Sequence, residues 1–278
     1  MTLQPTASAP MTASAHAMTL RFVDALKRLN AKERNFLMRY ALADRLSDGF
    51  VNDLVAHLQQ IGLTGLDGAR AVYFGMDYHL EWIHAALLLA MGTLTLDDQG
   101  KSVPRSGGQT GRIEDVDLLV VLEKSNGMLV LVLIEAKGVT SFSTAQFKSK
   151  VARLELLQAD MTPAGAPASD PAAVPTSVWL ESILLLMSPE NSKPSPANCV
   201  LCAEALATVG FWPGPQGSES LVWMNLKGFF SDLGDPPSSW RITTSYSSGD
   251  RATNLTARTD TPYDHWRIER RTFAKKKE

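Results

Sequence analysis

An unbroken apolar run, Met128-Leu129-Val130-Leu131-Val132-Leu133-Ile134, ends in Glu135-Ala136-Lys137. A run of that length and composition fits a strand buried on both faces, the kind found inside a sheet covered by helices. Side chains alternate along a strand, so Glu135 and Lys137 point to one side and Ala136 to the other. Charges at the end of a buried strand are costly unless they bind something. A divalent cation and a phosphate are the ligands that such an acid and lysine suit.

The 278 residues are 45% hydrophobic and 20% charged, the profile of a soluble globular protein large enough for a core domain and a helical annex. Net charge is −2, so nucleic-acid contact would require a local basic patch rather than a global bias. Cys199 and Cys202 form a lone CxxC with no second ligand pair at zinc spacing, and read as buried small hydrophobes. Two cysteines fit a reducing cytoplasm better than a disulfide framework. No apolar stretch reaches the length that spans a bilayer, so no membrane partner is expected. Residues 1–19 are Ala/Thr/Ser/Pro-rich without a basic start, and are expected to be a disordered tail rather than a secretion signal.

Helical periodicity covers residues 20–62, with Asn30 as N-cap of a helix over 31–42 and Ser47 or Asp48 as cap of the next. Residues 20–66 are thus expected to form a helical annex, and 67–246 the core. Within the core the pattern predicts a short apolar run over 71–74 and a buried helix over 78–91. A loop over 92–112 and strands at 118–122 and 128–134 follow. Beyond them come a helix over 143–157, a surface loop at 161–176, and strands at 182–187 and 221–226, with a short helix over 203–209 between the last two. Strand character returns at 240–246, and residues 247–278 read as a polar tail with a basic end. The whole is a mixed α/β architecture.

The register of the hairpin decides what the charges can do. With Asn126-Gly127 as a two-residue loop, Asp117 would pair with Ala136 and project away from Glu135. With Ser125-Asn126-Gly127 as a three-residue loop, Gly127 left-handed, Lys124 faces Met128 and Asp117 sits across from Glu135 on one face. Only the second builds a site, and it is the expectation adopted. Two carboxylates about 5 Å apart across a strand pair repel each other, and a hard divalent cation relieves that repulsion. Oxygen-only ligands favour Mg²⁺ or Mn²⁺ over Zn²⁺.

Asp117 heading one strand and Glu135-Ala136-Lys137 ending the next resemble the motif of the PD-(D/E)xK nuclease superfamily. The resemblance spans about residues 70–230, and Val116 stands where that motif's name has proline. It implies a restriction-endonuclease-like αβββαβ core and hydrolysis of DNA phosphodiester bonds. It also implies a Mg²⁺ or Mn²⁺ ion on Asp117, Glu135 and the Ala136 carbonyl, with Lys137 assisting water. Glu81, on the helix before the sheet, and Gln146, on the helix after the third strand, are the further catalytic residues it implies.

Each residue also has a plainer reading. Glu135 and Lys137 could be a strand end meeting solvent, and Asp115 shares the parity of Asp117 and rivals it for a metal. Glu81 suits a first helical turn through the dipole, and Ser143 with Gln146 spells a capping box. Arg105, Arg112, Lys148 and Lys150 are expected to meet nucleic-acid phosphates, although a solvated helix face accounts for the two lysines equally well. His79 and His84 lack metal-site spacing and read as structural. Dimerisation is a second role open to the helical annex. The alternative function is a catalytically inactive protein of the same fold that binds nucleic acid or assembles with other subunits.

Overall fold

The computed structural model describes residues 12–92, 94, 115–137, 150, 154, 179–188 and 223–225, and the backbone of 238–245 and 265–272. In chain order the elements are α1 (Ala13–Leu29), α2 (Glu33–Ala41), α3 (Asp48–Gln60), β1 (Arg70–His79), α4 (Leu80–Ala90), β2 (Asp115–Glu123) and β3 (Leu129–Ala136). They continue with β4 (Leu180–Ser188), β5 (Trp223–Asn225), β6 (Ser238–Ser245) and β7 (His265–Thr272). A five-stranded mixed sheet runs β1-β2-β3-β4-β5. Its first three strands pair antiparallel, whereas β3–β4 and β4–β5 pair parallel. β6 and β7 form a separate antiparallel pair.

The sheet is central because β3 is apolar on both faces. Every β3 residue except Ala136 is buried, and β4 is almost as fully enclosed. Helices supply the cover. The Tyr78 hydroxyl donates to the Leu26 carbonyl of α1 at 2.9 Å, and Phe22 meets Trp179 edge-on at 5.7 Å. Phe22 and Leu26, Leu54 and Leu58 of α3, and Ile83 and Leu87 of α4 belong to the same hydrophobic cluster as the strands. Each such side chain contributes about 1.5–3 kcal/mol on burial. The N-terminal helices, expected as an annex, are therefore part of the cover of the main core.

Several local expectations change. α1 begins at Ala13, capped by the Thr12 hydroxyl, so residues 13–19 are helix rather than disordered tail. Ser47 caps α3, but Asn30 does not cap α2, which starts after Lys32. Asn30 instead turns inward and donates to the Met76 carbonyl at 3.0 Å. Tyr78 and His79 are strand, not helix, because their backbones pair with Val116 and Asp115 of β2. Part of the polar C-terminal tail is also strand, since β7 lies within it. The helix expected at 143–157 is described only at Lys150 and Leu154, both helical. The loop at 161–176, the helix at 203–209 and both cysteines lie outside the described residues.

β1 is an edge strand, and an open edge invites pairing with another chain. Here two buried asparagines close it at Met76. Asn35 Oδ1 accepts from the Met76 N–H at 3.1 Å, while Asn30 Nδ2 donates to its carbonyl. Gly75, one residue earlier, is tightly enclosed: a Cβ there would lie 2.8 Å from the Tyr73 hydroxyl and 3.0 Å from the Tyr78 ring, so a side chain would have to shift.

Candidate active site

The site begins with the β2–β3 turn. Lys124 N–H donates to the Met128 carbonyl at 2.8 Å and Gly127 N–H to the Lys124 carbonyl at 2.9 Å. Gly127 has φ +87°, and Asn126 Oδ1 accepts from Met128 N–H. This is the three-residue loop, with Lys124 facing Met128. The ladder then runs from Glu123↔Leu129 to Leu118↔Ile134, and one further step sets Asp117 across from Glu135. At that step the ladder ends, and the carboxylate takes over: Ala136 N–H donates to Asp117 Oδ2 at 2.7 Å.

Four charges meet beyond that point. Lys137 Nζ donates to Glu135 Oε1 at 2.8 Å. Lys150 Nζ lies 3.0 Å from Glu135 Oε2, and both side chains are only 9% exposed. The Lys150 ammonium also donates to the Asp115 carbonyl. Glu135 Oε2 itself is buried without a hydrogen bond of good geometry, so its contact with Lys150 is chiefly ionic. Two carboxylates and two ammonium groups balance to zero.

Burial pushes the Asp117 carboxyl above the ordinary carboxylate range. The Ala136 N–H opposes that shift, the Glu135 charge reinforces it, and Lys137 and Lys150 partly offset it. Asp117 is thus an acid that would gain from an added positive charge.

Asp115 is committed elsewhere. Lys32 Nζ pairs with its Oδ2 at 2.7 Å, and His79 contacts its Oδ1. On the far side of Asp117 from Glu135, Asp77 occupies the β1 position skipped between Met76↔Leu118 and Tyr78↔Val116. Its φ of +47° is unusual for a side-chain-bearing residue. Lys32 holds its carbonyl at 2.6 Å and Arg34 its carboxylate at 3.1 Å.

The structure therefore brings together Asp117, Glu135, Ala136, Lys137 and Lys150. Lys150 is no part of a solvated basic face: it is buried against the acid. Glu81 stands in the first turn of α4, half-buried. That helix lies between β1 and β2, not before the sheet as expected. Gln146, Arg105, Arg112 and Lys148 lie outside the described residues. The place of Lys150 was open to inference, since Gln146, Lys150 and Leu154 share a four-residue spacing and hence one helical stripe. If Gln146 faces the site, Lys150 follows it one turn later. The link from Lys32 and His79 to Asp115 has no comparable local signal.

The donor set suits a hard divalent cation: two carboxylates on adjacent strands, one with a raised pKa and one with an unbonded buried oxygen. Among the described residues no group of three His, Cys, Asp or Glu side chains gathers to hold a metal. A cation here would take remaining ligands from backbone carbonyl or solvent, as Mg²⁺ commonly does. Among the described residues no helix is long and apolar enough to cross a membrane. Compared with models of protein families, with curated proteins and with solved structures, the chain matches none.

Proposed function

We propose that the chain is a metal-dependent phosphodiesterase acting on DNA in the cytoplasm, built on a restriction-endonuclease-like fold. The observation that carries this reading is the register setting Asp117 across from Glu135 with Lys137 beside them. The topology supports it as well. Three antiparallel strands, a helical segment at Lys150 and Leu154, and a parallel β4 agree with an αβββαβ unit, with α4 as an insertion between β1 and β2.

Asp117, Glu135 and the Ala136 carbonyl would hold Mg²⁺ or Mn²⁺. Bound there, the cation supplies charge stabilisation for a phosphodiester undergoing in-line attack by water. Lys137, as an ammonium, holds a phosphate oxygen or orients the attacking water, whose proton passes to solvent. Lys150, anchored on the Asp115 carbonyl, keeps Glu135 turned into the site. The Ala136 N–H keeps Asp117 turned inward from the neighbouring strand.

One observation favours a second reading, a non-catalytic nucleic-acid-binding or assembly protein of the same fold. Both Glu135 oxygens face lysines at 2.8 and 3.0 Å, and the four charges cancel without any cation. Cleavage of plasmid and single-stranded DNA with Mg²⁺ or Mn²⁺ separates the two. The nuclease reading expects activity that Lys137→Ala and Asp117→Ala each abolish. Equal activity in the variants, or none in the wild type alongside intact DNA binding, removes it.

A further inference from the structure

We infer that His79, held by Asp115, is the base that takes the proton from the attacking water at the Asp117–Glu135 site. This deepens the phosphodiesterase reading and rests on it.

The reaction needs such a group. Water is a weak nucleophile, and a positioned base that accepts its proton contributes about 10²- to 10⁴-fold to the rate. The charged groups around the site are committed to one another. Lys137 and Lys150 are ammonium groups facing the two oxygens of Glu135. Asp117 accepts from the Ala136 N–H, Asp77 faces Arg34, and Asp115 has Lys32 on Oδ2. His79 adds a basic atom of another kind, an imidazole nitrogen.

Register places it. His79 pairs with Asp115, two positions before Asp117 on the same side of β2. Lys137 stands two positions after Glu135. β2 and β3 run antiparallel, so His79, Asp115 and Lys137 belong to one end of the sheet, about 7 Å beyond the Asp117–Glu135 level. Lys150 bridges the two levels, with Nζ on the Asp115 carbonyl and 3.0 Å from Glu135 Oε2. A water oriented by Lys137 therefore lies toward the end of the site that His79 occupies.

Local packing fixes the ring. His79 ends β1 and is the N-cap of α4, yet its side chain makes no capping bond. Its Nδ1 and Asp115 Oδ1 are both buried, lack another partner and touch, so a proton between them satisfies both. The Trp82 ring meets the imidazole edge-on at 4.1 Å. Lys32 Nζ lies 5.5 Å from the same Trp82 ring while it anchors Asp115 Oδ2 at 2.7 Å. With Nδ1–H turned to Asp115, the lone pair is on Nε2. The side chain keeps 17% of its surface in solvent although Nδ1 is buried, so Nε2 is the nitrogen that water reaches. A carboxylate that fixes the tautomer in this way also stabilises the imidazolium that forms. Asp115 is thus a positioning residue for His79.

In the step itself, one water proton passes to His79 Nε2 as the water oxygen bonds to phosphorus and the bond to the leaving oxygen breaks. The leaving oxygen takes a proton from solvent, and the imidazolium then releases its own proton to solvent.

Cleavage of plasmid and single-stranded DNA with Mg²⁺ tests the role through His79→Gln and His79→Ala. Both should lose about 10²- to 10⁴-fold in kcat with KM little changed. Added imidazole should restore part of the rate to His79→Ala, where it finds the vacated space, and none to His79→Gln. A residue that only supports the fold would not separate the two variants in that way. Nitrogen NMR of histidine-labelled wild type gives a readout without turnover: the neutral His79 ring should carry its proton on Nδ1. If the wild type cleaves and His79→Gln cleaves equally fast, or imidazole fails to separate the variants, the base assignment falls and the phosphodiesterase reading stands. A neutral ring protonated on Nε2 overturns the assignment whatever the cleavage assay gives. A wild type that cleaves no DNA takes both down.

Discussion

Lys150 lies 3.0 Å from Glu135, with both side chains 9% exposed, so the acid at the end of β3 is countered by a helix residue fifteen positions later. A buried charge left without its partner is far costlier than either the pair or an apolar replacement of both. Lys150→Ala leaves Glu135 Oε2 unpaired while Lys137 still holds Oε1, and should destabilise the fold by about 1–3 kcal/mol. Thermal unfolding checks this, and Lys150→Met with Glu135→Gln should recover most of the loss. A melting temperature unchanged in the single variant would show that the pair is solvated.

Asp117 has its carboxyl raised by burial and by Glu135. A carboxyl raised in the fold is easier to protonate there than in the unfolded chain. Its favourable contribution is complete below the ordinary carboxylate pKa, about 3.9, and is lost as pH rises through the raised value. Asp117→Asn should consequently melt higher than wild type at neutral pH, keeping the Ala136 N–H bond through its amide oxygen. The difference should shrink as pH falls below the ordinary value. Melting curves against pH decide it, and a variant less stable at pH 7 would refute the assignment.

The same raised carboxyl makes a proton and a cation competitors. Mn²⁺ should raise the wild-type melting temperature more at higher pH within the range where Asp117 titrates, since ligands of the native state stabilise by mass action. Asp117→Asn should lose most of that rise. Equal Mn²⁺ stabilisation in both proteins would move the cation elsewhere.

Asn35 holds the Met76 N–H at the open edge of β1. Asn35→Ala leaves a buried donor unsatisfied and should cost about 1–3 kcal/mol. Amide hydrogen exchange gives the local readout: Met76 should exchange much faster in the variant while the amide of Val132, in the central strand, changes only by the global loss. Protection of Met76 retained in the variant would mean that another group closes the edge.

Gly127 closes the hairpin at φ +87°. Gly127→Ala should cost about 1 kcal/mol, as expected for a left-handed residue carrying a Cβ. Gly127→Asn should recover part of it, because asparagine tolerates that conformation. Chemical denaturation measures both, and an alanine variant as stable as wild type would contradict the turn geometry.

The β2–β3 hairpin was legible because its information is local. Alternation assigns faces, an unbroken apolar run marks the buried strand, and Asn126-Gly127 admits few loops. Those constraints left two loops open, and the one adopted because it builds a site is the one that sets Asp117 across from Glu135. They were silent where the partner is distant. The stretch from Tyr78 is apolar all round, so periodicity alone read it as helix. Pairing with Val116 and Asp115 extends β1 through His79 instead. Lys150 carried the signature of a solvated helix face until packing buried it against Glu135. Lys32 reaches Asp115 across 83 positions, with nothing local to announce it. What the sequence determined by itself was the order of acids and lysine along two strands and the one side that Glu135 and Lys137 share. Tertiary structure decided which cations neutralise them, because charge partners are chosen by three-dimensional proximity and burial, and neither is written in local pattern.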